Sequence, residues 1–297
     1  MLWLLIIILA YFFLAVSSFG DKLYLKGKEK PKNYVFYVGL LSGLIVLIVP
    51  FIDFAFPSLN ILLWAFLEGI VYIAALYALY YALDKFEVSI IIPALGGIQP
   101  IFIFLLSIVF FQIKEISIKS IIALIILIIG TFLISLDKGR KNLKSKELLF
   151  AIIPGFLFAL DFILTKQVFN TQPFLQGLVF MRLFSFMAVL VFLFDKKFRE
   201  SIFKKKAASK KMIFLGAQAS GAIGILLQSY AISLVPILYL ATLNALKGIQ
   251  YVFLLILTFI ISTFYSKVLK ESFNKKSLIT KIISIIFIVL GIALLVL

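Results

Sequence analysis

Residues 80–115 read YYALDKFEVSIIIPALGGIQPIFIFLLSIVFFQIKE, and residues 229–251 read SYAISLVPILYLATLNALKGIQY. In each, Tyr-Ala closes an apolar stretch, a turn follows, and a second apolar stretch carries Gly-Ile-Gln. The first copy adds Pro93, Gly96, Gly97 and Pro100 and closes on Lys114 and Glu115. The second places Lys247 immediately before its Gly-Ile-Gln. A segment written twice in one chain points to an internal repeat, and the echo extends outward in both directions.

Phe12-Phe13-Leu14-Ala15 followed by Lys22 matches Phe156-Leu157-Phe158-Ala159 followed by Lys166. Glu115 matches Glu271, and Gly130 matches Gly291. Between the copies lies DKGRKNLKSK at 137–146, the one sensible linker. It divides the chain into repeats at 1–137 and 146–297.

The apolar blocks are about 20 residues long, enough for a helix to cross a hydrocarbon core of about 30 Å. Ten such spans are expected, roughly at 2–20, 34–52, 59–83, 88–111, 117–136, 147–168, 174–194, 211–233, 236–264 and 277–297. The chain is 64% hydrophobic and 14% charged, far from the balance of a soluble domain. The expected class is therefore an all-α integral membrane protein in the cell membrane, crossing the bilayer many times. Five spans per copy, an odd number, turn the second copy upside down. Inverted repeats of this kind belong to carriers that work by alternating access, with the site at the repeat interface near the midplane.

The net charge of +16 does not point to nucleic acid, because the lysines crowd into short loops. Lys22, Lys26, Lys28, Lys30 and Lys32 fill the first loop. Lys196, Lys197, Arg199, Lys204, Lys205, Lys206, Lys210 and Lys211 fill the seventh. The fifth and ninth are basic too, whereas the second and eighth hold no Lys or Arg. The bias puts the odd loops in the cytoplasm and both termini outside.

Cysteine and histidine are both absent. No disulfide, thiolate metal site or thiol nucleophile is available, and the commonest general base is missing. No GxxxxGK[ST] phosphate loop appears, so nothing indicates drive by ATP, and no cofactor or metal is expected.

The motifs resemble the drug/metabolite transporter superfamily, in particular the ten-helix EamA-like permeases. The residues that carry the resemblance are Tyr81-Ala82-Leu83, the turn to Pro93, Ile98-Gln99-Pro100, Glu115 and Gly130. The second half keeps Tyr230-Ala231, Glu271 and Gly291 but reads Tyr251 where Pro100 would recur. Met181-Arg182-Leu183 fits the basic residue the family carries near the start of its seventh helix. The resemblance implies two five-helix repeats and a permease or exporter of a small polar metabolite, an amino acid or related organic anion. Within the superfamily it also leaves open sugar phosphates and nucleotide-linked or lipid-linked compounds, and it favours export. One departure is the base-free loop between spans two and three, which sets the orientation opposite to the family's usual one. A membrane enzyme acting on a lipid and a non-transporting scaffold are the rivals from other classes.

Charges inside spans cost about 3 kcal/mol each on insertion scales and mark function by default. Glu68, Asp161, Arg182 and Lys247 qualify. They can pair with one another in a dry bundle. Alternatively, Arg182 or Lys247 holds a substrate anion while Glu68 or Asp161 takes an amine or a proton, which allows coupling to a proton or another ion. Asn244, Lys247 and Tyr251 share one helical face, with Gln250 beside them. Gln99, Gln228 and Tyr72 are further lining candidates. Ala217, Gly221, Gly224 and Gln228 recur at helical spacing, where small residues signal close packing. Pro93, Gly96, Gly97 and Pro100 would let span four bend, with a role in gating.

Overall fold

The computed structural model describes residues 2–25, 31–86, 88–113, 117–135, 145–203, 211–264 and 275–296. Glu115, Glu271, most of the 137–146 linker and many of the loop lysines lie outside them, as does the side chain of Pro93. All regular structure among the described residues is helical. In hydrocarbon each N–H must find an acceptor within its own segment, and long runs of Ile, Leu and Phe without charges meet that demand as helices.

The first half forms α1 (Leu2–Leu25), α2 (Pro31–Ser42) with a 3-10 continuation at Gly43–Phe51, α3 (Leu59–Lys85), α4 (Val88–Phe111) and α5 (Ile118–Ser135). The second forms α6 (Ser145–Thr171), α7 (Phe174–Leu190), a short α8 (Lys196–Phe203) and α9 (Lys211–Leu234). It ends with α10 (Leu240–Ala245), α11 (Gly248–Phe264) and α12 (Lys275–Val296). Among the described residues seven helical segments are long and apolar enough to cross a membrane, and Ile118–Leu133 and Ile279–Leu294 are shorter apolar helices. α9 is a further long helix, of 24 residues. The protein is an all-helical, multi-pass membrane protein.

Each half is packed into the other. α1 lies along α9 and touches α11, α6 lies along α3 and α4, and α5 lies along α12. Small residues bring the backbones together. A Cβ on Gly20 would stand 2.7 Å from that of Ala217, one on Gly221 would meet Ser17, and one on Gly224 would meet Leu14. The small-residue stripe of α9 is therefore a seat for α1. Gly130 and Gly291 serve the α5–α12 contact, facing Ile288 and Leu127 respectively. Gly69 allows α3 to touch the α7 backbone at Ser185.

A buried core of Ile7, Tyr11, Ile103, Leu127, Ile163, Met181, Leu240, Leu243 and Leu246 joins the two halves. Leu5, Val109, Ile125, Phe259 and Val289 face outward, as lipid-facing side chains would.

α4 runs as one helix through Pro93, Gly96, Gly97 and Pro100. The interruption falls instead on the second copy, between α10 and α11, where Leu246 and Lys247 form a turn. There the N–H groups of Lys247, Ile249 and Gln250 bond three residues back, to Asn244, Leu246 and Lys247 at 2.9, 2.9 and 3.0 Å. That tightening releases the carbonyls of Leu243 and Ala245 from their ordinary helical partners. Tyr11 donates its hydroxyl to the first at 3.0 Å and Thr131 to the second at 2.8 Å. The broken helix is thus completed by side chains of α1 and α5, both from the other half.

Candidate functional site

The break opens onto a cavity of ≈ 190 Å³ enclosed by helices of both halves. α3 contributes Tyr72, α4 Gln99, α6 Asp161 and Thr165, and α7 Arg182. α9 adds Gln228 and Ser229, and the broken helix adds Asn244, Lys247 and Gln250. Leu14, Leu76, Phe158, Phe162, Ile225 and Ile232 form its apolar walls.

Seven of the residues singled out from the sequence therefore meet at one cavity: Tyr72, Gln99, Asp161, Arg182, Gln228, Asn244 and Lys247. Glu68 stands one layer behind, fully buried. Tyr251 is not on the wall; its hydroxyl lies against Gly96 of α4.

The acids and the arginine form one cluster. Arg182 Nη2 reaches Glu68 Oε1 at 3.3 Å, and Thr165 Oγ1 lies 3.5 Å from the same oxygen. The guanidinium carbon sits 4.4 Å from the Tyr72 ring centroid, a cation–π contact in a desolvated setting. Asp161, also buried, lines the cavity together with Thr165 and Arg182. Lys247 stands apart from the cluster and has no acidic partner among the described residues. The four charges sum to zero, arranged with Lys247 on the broken helix and the acid-bearing cluster on α3, α6 and α7.

Several buried atoms of the wall lack protein partners: Gln99 Oε1, Asp161 Oδ1, Arg182 Nε and Nη1, Asn244 Nδ2 and Gln250 Oε1. A buried polar atom left unpaired costs about 1–3 kcal/mol. So many converging on one space are explained when an occupant of that space completes them. Among the described residues no group of three or more Asp or Glu side chains is placed to hold a metal ion.

Comparison with known proteins bears on the first half directly. The profile of the EamA-like transporter family, within the drug/metabolite transporter superfamily, matches residues 1–136. That segment is similar to the EamA-like transporter family. A solved structure described only as "Crystal structure of protein" superposes with a TM-score of 0.64 at 14% identity. It covers 98% of this chain and 94% of its own, and so shares the fold. No curated protein matches in sequence.

The cavity uses residues of the matched segment, Tyr72 and Gln99 among them, and more from beyond it. Sequence reasoning passed over Thr165 and Ser229, neutral hydroxyls that are common in any helix, and set Gln250 beside the stripe without choosing it. It read Lys166 as a residue near a helix end. In the structure the Lys166 ammonium is buried and donates to the carbonyls of Ile232, Ser233 and Val235 at 3.1, 3.1 and 2.7 Å, closing the C-terminus of α9.

Proposed function

We propose that the protein is a secondary transporter that carries a small zwitterionic metabolite, an amino acid or a close relative, through the ≈ 190 Å³ cavity by alternating access. The observation that carries this reading is that one cavity is lined both by Lys247, a cation without an acidic partner among the described residues, and by Asp161, an acid with an unpartnered oxygen. Lys247 offers an unpaired ammonium to a carboxylate, and Asp161 offers a carboxylate oxygen to an amine. Asn244, Gln99 and Gln250 supply the neutral donors and acceptors between them. The EamA-like half supports a carrier over an enzyme.

We further read the chain as ten spans in two inverted repeats, 1–137 and 146–297, that rock against each other. Its support is the reciprocal packing: α1 on α9 and α11, α6 on α3 and α4, and α5 on α12. Those pairs exchange when the halves are exchanged. Glycine-rich α4 and the broken helix are then counterparts that flank the site, and they are the elements we assign to gating. The lysine bias puts both termini outside.

A specific observation favours one alternative. Arg182 leaves Nε and Nη1 without partners, and with Lys247 it could meet a phosphate or dicarboxylate. Glu68 and Asp161 beside that arginine weigh against a strongly anionic occupant. The two readings separate in a thermal-shift screen of the purified protein. Amino acids should raise the melting temperature of the wild type but not of Lys247→Ala or Asp161→Asn. Stabilisation by sugar phosphates that persists or strengthens in Asp161→Asn would transfer the assignment to the anion reading. Equal stabilisation of wild type and both variants would remove the cavity from the binding site.

A further inference from the structure

Residues 94–99 read Ala-Leu-Gly-Gly-Ile-Gln and residues 245–250 read Ala-Leu-Lys-Gly-Ile-Gln, differing only at Gly96 and Lys247. The first run lies inside the continuous α4, and the second holds the break between α10 and α11. What differs is the surroundings. Tyr11 and Thr131, both fully buried, donate to the carbonyls of Leu243 and Ala245. In the sequence echo their counterparts are Gly155, just before Phe156, and Ile292, just after Gly291. Neither has a side-chain donor. Gly155 instead lets α6 close on α4, since a Cβ there would stand 3.0 Å from Ile98 Cγ2. A carbonyl released in an apolar bundle is costly without a donor, so one sequence breaks beside Tyr11 and Thr131 and its near-copy stays helical beside Gly155.

The break changes which side chains face the cavity. An α-helix turns about 100° per residue and a 3-10 helix about 120°. In an unbroken helix Gln250 would stand about 60° to one side of Lys247 and Tyr251 about 40° to the other. The tight bonds at Ile249 and Gln250 add about 20° each, bringing Gln250 to about 20° from Lys247 and carrying Tyr251 to about 80°. The observed positions agree. Gln250 lines the cavity with Lys247, whereas the Tyr251 hydroxyl lies where a Cβ on Gly96 would meet it at 3.5 Å. Gln250 Nε2 donates to Ser18 Oγ at 3.1 Å, and its Oε1 has no partner, as is also true of Oε1 of its counterpart Gln99. Two glutamine carbonyls, one from each copy, thus line the same space.

We propose that Tyr11 and Thr131 are positioning residues for the cavity: their hydroxyls hold the helix break, and the break sets Gln250 rather than Tyr251 beside Lys247. Without the two donors the segment closes into a helix like α4, and a phenol takes the place of an amide beside the lysine. That Gln250 and Gln99 accept N–H groups of a substrate rests on the transport reading above, whereas the placement of the side chains does not.

The chain has no cysteine, so a single introduced thiol reports placement without background and without any substrate. Gln250→Cys and Tyr251→Cys are made separately in the full chain in nanodiscs, and their modification by a small methanethiosulfonate reagent is timed. Gln250→Cys should react the faster of the two, and the order should reverse when Tyr11→Phe and Thr131→Val are added. Gln250→Cys reacting no faster than Tyr251→Cys would overturn the rotation. An order unchanged by Tyr11→Phe with Thr131→Val would overturn the hydroxyls as its cause. Should that combination be too unstable to purify, Tyr11→Phe and Thr131→Val singly should each narrow the ratio of rates, and no narrowing in either would overturn it equally. Thr131→Ser keeps the donor and should keep the order; a shift as large as that of Thr131→Val would assign the effect to packing and overturn the hydrogen bond. No substrate enters the labelling, so an amino-acid mixture that fails to stabilise the protein counts against the transport reading alone.

Discussion

Arg182 shows why charge in an apolar span is informative. The residue is 9% exposed, and its guanidinium meets one carboxylate and one aromatic face. Removing one partner of a buried ion pair leaves the other uncompensated and costs roughly 3–5 kcal/mol, whereas replacing both costs far less. Arg182→Met should therefore lower unfolding stability in detergent by about that amount. Arg182→Met combined with Glu68→Gln should regain most of it, read from chemical unfolding of the three variants. Equal losses in single and double variants would deny the pairing. Glu68, Asp161, Arg182 and Lys247 were legible in the sequence because each violates the chemistry of its span. Thr165 and Ser229 violate nothing, and only the assembled fold brings them to the same wall. Tyr251 shared a helical face with Lys247 on paper. The turn at Leu246–Lys247 breaks the regular helical spacing on which that face was drawn.

At the scale of the element, the small residues are read most directly. Gly69 sits where a Cβ would stand 2.6 Å from the Ser185 amide nitrogen, while a Cβ on Gly216 meets nothing within 4 Å. Gly69→Ala should destabilise by about 1–3 kcal/mol, since backbone atoms of α7 must shift. Gly216→Ala should be neutral or stabilising by up to about 1 kcal/mol, because alanine is the better helix former. Paired melting curves check both, and a Gly69→Ala protein as stable as wild type would contradict the α3–α7 packing. The α9 stripe was legible from its spacing alone. The break in the second copy was not, because its cause is tertiary. No proline marks it; Tyr11 and Thr131 make it tolerable from more than 100 residues away. The prolines of α4 raised the expectation of a bend in a helix that runs unbroken over Val88–Phe111. A helix continues through a proline when its neighbours make up the lost bond.

For the whole molecule, the reciprocal packing of the halves is what makes the cavity a shared space. A contact at one end ties α2 to the α7–α8 elbow: Lys32 Nζ lies 2.7 Å from Asp195 Oδ2 and over the rings of Phe192 and Phe198. The bond from Lys32 holds the Asp195 carboxyl below its ordinary range. A depressed carboxyl stabilises above its unfolded value of about 3.9 and loses that contribution as pH falls through its folded one. Asp195→Asn should therefore melt slightly below wild type at neutral pH, and the gap should close in strong acid; a gap that widened would reverse the sign. The effect is small, because the pair is exposed and screened. On the proposed orientation, with both termini outside, a reporter active only in the cytoplasm should stay silent at the C-terminus, and activity there would invert it. Membrane class was readable from block lengths and composition, whereas the dividing linker at 137–146 lies mostly outside the described residues. The meeting of the halves was not, since apolar surfaces pack on lipid as readily as on each other. The most direct measurement is uptake or efflux of an amino-acid mixture by proteoliposomes holding the purified chain, followed by mass spectrometry. One or a few amino acids should cross with wild type and at least about tenfold more slowly with Lys247→Ala, the loss of one charge-assisted contact. Equal transport by wild type and Lys247→Ala would contradict the account.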